Sequence, residues 1–280
     1  MLRKFSSSRT LSDNIKLGGL TAFTAGTINI ASLLIFLNFT SNITGHYAIL
    51  SAEISKGNWG QVWIVASWIF LFFIGNFISN FIVINVTRFN QYLAHALPIV
   101  LQILCLVFVG FYGNNYYKGE KSEIEILVAA MLFCTGLQNG LTASISNFAI
   151  KTTHLTGTTT DLGVLLSMFT QRKYRKNKAL VGRAKVLAVI VVSYIAGAVF
   201  AGITYYHLQF NVFYIICICL VVVVLYDFYK IYLRHFNTKF RYHKIYQKSD
   251  PFVTVLIKYQ ESKIHKLFFR NRILVVRRGA

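Results

Sequence analysis

The chain has 280 residues, 55% of them hydrophobic, with 29 Lys and Arg against nine Asp and Glu and a formal charge of +20. So large an apolar surplus with so few acids excludes an ordinary soluble domain and calls for lipid as the solvent. With only two prolines in the chain and a backbone that must satisfy its own hydrogen bonds in hydrocarbon, the predicted fold is all-α and polytopic.

In chain order, residues 1–16 form a basic, Ser-rich start with no small-residue cleavage pattern behind it, so no cleaved signal is predicted. A helix rises about 1.5 Å per residue and needs roughly 20 apolar residues to cross the hydrocarbon core. Six stretches meet that condition: 17–39, 61–86, 93–112, 125–150, 185–206 and 208–233. The last two are joined by almost nothing, which predicts a tight helical hairpin. The predicted organisation is a basic N-terminus (1–16), a first three-helix unit (17–118), a second (119–234) and a basic tail (235–280).

Loop charges alternate. Arg3, Lys4, Arg9, Lys16, Arg88, Arg172, Lys173, Arg175, Lys176, Lys178, Arg183 and Lys185 fall in one set of connections, while the other set holds Lys56, Lys118 and Lys121 among Glu53, Glu120 and Glu123. Lys and Arg accumulate on the cytoplasmic side, so both chain ends are predicted to be cytoplasmic. The same rule accounts for most of the net charge, and nucleic acid is not an expected partner. After Pro251, Val253, Leu256, Ile257, Ile264, Leu267 and Phe268 recur among lysines at roughly helical spacing. A helix lying on the anionic lipids of the inner leaflet and a disordered basic tail are both open readings.

The two halves repeat one text. Gly26 and Asn29 in the first span are followed by Thr40-Ser41-Asn42-Ile43-Thr44-Gly45-His46; Gly136 and Asn139 in the fourth are followed by Thr152-Thr153-His154-Leu155-Thr156-Gly157-Thr158. Gly75 of the second span answers to Gly197 of the fifth in the same way. With three spans per half, the second copy enters the membrane from the other side, so two inverted repeats are predicted, an arrangement common in secondary transporters.

Gly136 to Gly140, Lys151 to Gly157 and Thr160-Asp161-Leu162-Gly163 together resemble the second-half signature of the YoaK-like family, bacterial membrane proteins of undefined function, with Thr40 to His46 as the first-half counterpart. His46 and Lys151 depart mildly from the family pattern, and the tail is unusually long. The resemblance, over about 13–235, implies a multi-pass protein of the bacterial inner (plasma) membrane and supplies no substrate or reaction.

Polar groups inside apolar spans are the candidate functional residues. Asn29, Asn42, Thr44, Gln138, Asn139, Thr153 and Thr156 are the candidate contacts to a small polar solute, with hydrogen bonding between helices as the competing role of the amides. Gln138 is expected to face elsewhere than Asn139, with lining the cavity on its own as an open role. His46, His154 and Asp161 are the candidates for proton coupling, since they titrate. A short helix is expected from Thr158 to Met168, and Thr158-x-x-Asp161 also reads as a helix-capping box.

The cysteines Cys105, Cys134, Cys217 and Cys219 lie in apolar runs without metal-ligand spacing, so neither a metal nor a cofactor is expected. Phosphate-loop, zinc-protease and serine-elbow motifs are absent from the text, and no enzyme activity is expected. His154 with Asp161 is the one thin candidate for lipid chemistry. The expectation is a small-solute permease or exporter embedded in the lipid bilayer. Its alternative is a non-transporting scaffold or lipid-interacting protein, and self-association into a homo-oligomer stays open.

Overall fold

The structure is a computed structural model that describes residues 10–225. The basic tail and the end of the sixth expected span, where Asp227 beside Lys230 reads as an ordinary interfacial ion pair, lie outside those residues. Within them the chain is helical without strands: α1 Leu11–Phe36, α2 Ile43–Ser55, α3 Trp59–Val86, α4 Gln91–Asn115, α5 Lys121–Ser146, α6 Leu155–Met168, α7 Arg172–Arg175 and α8 Lys178–Leu208. A 3₁₀ turn, Gln209–Asn211, then leads into α9, which is helical over 212–225.

Five stretches among the described residues are long and apolar enough to cross a membrane: α1, α3, α4, α5 and the run Lys178–Leu225. That run contains both α8 and α9, parted where Gln209 takes φ 45° and ψ −122°. Polar residues set the helix starts. Thr10 and Asp13 close a reciprocal cap on α1, and the Oδ1 atoms of Asn90 and Asn177 accept first-turn amides of α4 and α8.

Contacts fix the directions of the helices. Leu11 lies near Gly182, Gly18 near Ile190 and Gly26 near Ala198, so α1 and α8 run parallel. In the same way Gly75 meets Gly136 and the Ser144 hydroxyl donates to Asn80 Oδ1 at 2.7 Å, so α3 and α5 run parallel. Opposite directions hold for α4 and α9, where Gly113 faces Phe210, Gly110 faces Tyr214 and the Tyr92 hydroxyl donates to the Val224 carbonyl at 2.9 Å.

The two parallel pairs are built alike. A Cβ on Gly26 would collide with the Tyr194 carbonyl, and one on Gly197 with the Phe23 carbonyl; a Cβ on Gly136 would collide with the Phe72 carbonyl, and one on Gly75 with the Phe133 carbonyl. Close backbone approach at small residues is how helices associate where lipid removes the hydrophobic drive between them. The Thr27 hydroxyl adds a bond to the Gly197 carbonyl at 3.1 Å. Outward, α3 shows Phe70, Phe73, Phe77 and Phe81, each more than half exposed, a face that suits hydrocarbon and not water.

Two details depart from the sequence reading. The helix after the second Thr-Gly element starts at Leu155, not Thr158, and the Thr158 hydroxyl bonds to the His154 carbonyl at 2.9 Å inside it. Asp161 therefore caps nothing. It pairs instead with Arg183 of α8 at 2.8 Å. The first half also holds a short helix, α2, that apolar run length does not announce.

Candidate functional site

Asn29 and Asn139 each sit seven residues before the end of their helices, α1 and α5. At about 1.5 Å per residue that is roughly 10 Å below the helix end. After each helix the chain turns back to that depth. Leu37 at the end of α1 and Asn147 and Phe148 at the end of α5 adopt positive φ, 56°, 52° and 61°, which starts the reversal. The returning segments then reach the asparagines: Asn29 Oδ1 accepts from the amides of Thr40 at 2.9 Å and Ser41 at 3.0 Å, and Asn139 Nδ2 donates to the Thr153 hydroxyl. From there α2 and α6 begin, with Asn42 and His154 as their N-caps.

Both returns open onto one cavity of about 580 Å³. Its walls include Asn29 of α1 with Ser41, Asn42 and Thr44 at the first return, and Asn139 of α5 with Lys151, Thr153, His154 and Thr156 at the second. Phe72 and Asn76 of α3 and Tyr194 of α8 complete the polar and aromatic part of the lining. A volume of this size suits a small molecule.

The wall chemistry favours negative or neutral guests. Among the described residues Lys151 is the one wall side chain with a fixed charge, and none of them brings a carboxylate to the cavity. Asn42 Oδ1 caps the Gly45 amide at 3.1 Å, whereas α6 starts without a side-chain cap. Uncapped first-turn amides carry the positive end of the helix dipole.

The sequence candidates fall into two groups. Asn29, Asn42, Thr44, Asn139, Thr153, Thr156 and His154 line the cavity. Gln138, His46 and Asp161 do not. Gln138 is buried, 3% exposed; its Nε2 donates to the Thr21 carbonyl, and its Oε1 accepts from Gln102 Nε2 at 2.7 Å. His46 is buried against Trp68, ring centroids 5.5 Å apart, and its Nε2 lies 2.8 Å from the Phe39 carbonyl. Asp161 is in the exposed ion pair already described.

Tyr194, Asn76 and Phe72 were not among the sequence candidates. Tyr194 accepts from Asn29 Nδ2 at 2.9 Å and lies 3.4 Å from the Ser41 hydroxyl. Its signal was available: it stands three residues before Gly197, as Phe72 stands three before Gly75. Among the described residues no group of three or more His, Cys, Asp or Glu is placed to hold a metal ion.

Residues 17–226 match a family described as "Protein of unknown function (DUF1275)". No curated protein and no solved structure matches the chain.

Proposed function

We propose that this chain, which belongs to the DUF1275 family, is a secondary permease or exporter that moves a small polar solute through the cavity between α1, α3, α5 and α8. The observation that carries the reading is that equivalent segments of the two halves, each folded back onto a buried asparagine, wall a single cavity. On this reading α1, α3 and α4 form one repeat and α5, α8 and α9 its inverted copy, six spans in all. The matched glycine contacts and the antiparallel run of α9 on α4 support it. Such an architecture lets two related halves exchange outward-open and inward-open shapes around a fixed site.

With Lys151 as the only fixed charge that the described residues bring to the wall, the guest is an anion or a neutral hydrogen-bonding molecule, not a cation. The alternation of loop charges sets both chain ends in the cytoplasm of a bacterial cell, in its inner membrane, in keeping with the likeness to YoaK-like proteins. Asn29, Asn139, Thr153 and Thr156 are the solute contacts, and His154 is the one titratable candidate for proton coupling that also faces the cavity.

A second reading, a non-transporting scaffold, draws on one observation: every polar atom of the Asn29 amide already has a protein partner. The two part in one experiment. Purified protein is screened for thermal stabilisation by small carboxylates, inorganic anions, polyols and amines, and hits are tested for flux into liposomes. A permease gives stabilisation by an anionic or neutral solute and flux that Asn139→Ala abolishes while the protein stays folded. No stabilisation across the panel and no flux would favour the scaffold.

A further inference from the structure

The two returning segments are alike in sequence and unlike in how they are held. The first is tied on every side. Asn29 takes the amides of Thr40 and Ser41, and the Thr135 hydroxyl of α5 donates to the Thr40 carbonyl at 2.7 Å. His46 bonds the Phe39 carbonyl, and the Tyr194 hydroxyl stands between Asn29 and Ser41.

The second copy lacks each counterpart. Asn139 Oδ1 takes only the Thr152 hydroxyl, at 3.5 Å, and no backbone amide. Ala25 stands where Thr135 has its hydroxyl, Thr158 where His46 has its ring, and Phe72 where Tyr194 has its oxygen. What remains are local backbone bonds, from the Asn147 and Phe148 amides to the Ala143 carbonyl and from the Ala149 amide to the Ser146 carbonyl, and side-chain bonds to α5 alone, from Gln138 to Thr152, from Asn139 to Thr153, and from the Ile150 amide to Ser146 Oγ. This return is also two residues longer. It carries consecutive non-glycine residues, Asn147 and Phe148, in left-handed backbone, a conformation that costs energy for a bulky side chain. Phe148 is 70% exposed while lining the cavity.

We infer that residues 147–156 are the moving gate of the cavity and residues 37–44 its fixed wall, with Tyr194 as the positioning residue that pins the wall. The inference rests on the proposed equivalence of the two halves. It adds that the equivalence is broken at the positions of Thr135, His46 and Tyr194, so that one access route changes shape, carrying Thr153 and Thr156 with it, while Asn29 and the first segment stay fixed. Segments with few ties to other helices open first, at little free-energy cost.

The test is peptide-resolved amide hydrogen exchange on the full chain in lipid nanodiscs, which reads motion without any solute. In the wild type, peptides covering 37–46 should exchange at least tenfold more slowly than those covering 147–158, the factor expected of one to two hydrogen bonds. Tyr194→Phe should speed the first segment several-fold and leave the second unchanged. Phe72→Tyr, which offers Asn139 the oxygen that Asn29 has, should slow the second segment alone. Equal exchange in the two wild-type segments would overturn the inference, as would either variant moving both segments together. A protein that transports with equal exchange refutes the gate only; the expected exchange pattern in a protein without flux refutes only the transport reading.

Discussion

Asn29 Nδ2 in α1 donates to the hydroxyl of Tyr194 in α8 at 2.9 Å, a bond between residues 165 positions apart in the chain. At the matching place in the other helix pair, Asn139 faces a cavity lined by Phe72, whose ring has no oxygen to offer. The asymmetry ranks the two asparagines. Asn29 holds the backbone of its segment, and Asn139 has capacity to spare.

Truncation should therefore cost unequally. Asn29→Ala strands two backbone amides, each worth about 1–3 kcal/mol when left unsatisfied, while the Tyr194 hydroxyl keeps the Ser41 hydroxyl at 3.4 Å, so a loss on the order of 2–6 kcal/mol is expected. Asn139→Ala strands hydroxyls that find other partners, and about 1–2 kcal/mol is expected. Unfolding in mild detergent measures both. Equal losses would show that the bonds around Asn29 add nothing beyond those of a generic buried amide.

The helix crossings make a sharper structural prediction. Gly26→Val and Gly136→Val place a branched side chain where the carbonyls of Tyr194 and Phe72 stand, and loss of monodisperse folded protein is expected. Gly163→Ala and Gly202→Ala meet nothing within 4 Å and should be neutral or stabilising by about 0.5 kcal/mol. Size-exclusion profiles and melting curves separate the two classes.

Gln138 should behave as a structural hub. It joins α5 to α4 through Gln102, to α1 through the Thr21 carbonyl, and to the second return through Thr152 at 3.4 Å. A double-mutant cycle of Gln102→Ala and Gln138→Ala should give a coupling of about 1 kcal/mol. A stabilising solute, once found, should bind surviving Gln138→Ala protein within a few-fold of wild type, because Gln138 does not line the cavity.

Asp161 and Arg183 form a pair whose side chains are 47% and 62% exposed. Exposed pairs contribute little, so Asp161→Asn should leave stability within about 0.5 kcal/mol and leave any pH dependence of flux in place. His154→Ala should remove that dependence if protons are coupled through the cavity. A pH profile lost in Asp161→Asn and kept in His154→Ala would reverse the assignment.

The spans were legible because apolar run length is a one-dimensional property: the predicted stretches 17–39, 61–86, 93–112 and 125–150 overlap α1, α3, α4 and α5. The repeated Gly-x-x-Asn and Thr-Gly texts located six of the seven proposed solute contacts at the cavity, since short polar runs between spans are where backbone leaves the helix. Hidden from sequence was the direction the chain takes after each span. An outward loop and an inward return read alike in hydropathy, so α2 and the convergence of the two segments were invisible. Gln138 shows the same limit: it is as polar as Asn139 and adjacent to it, yet one position of rotation, about 100° in a helix, sends it into the packing between helices.

Access to the cavity is the most direct measurement of the central claim. In a background with Cys105, Cys134, Cys217 and Cys219 replaced, Thr156→Cys places a thiol on the exposed cavity wall. Membrane-impermeant thiol reagents are then applied to right-side-out and to inverted vesicles. A permease that alternates around this site predicts modification from both faces, with a stabilising solute slowing each. Modification from one face alone, at a rate no solute changes, would contradict it.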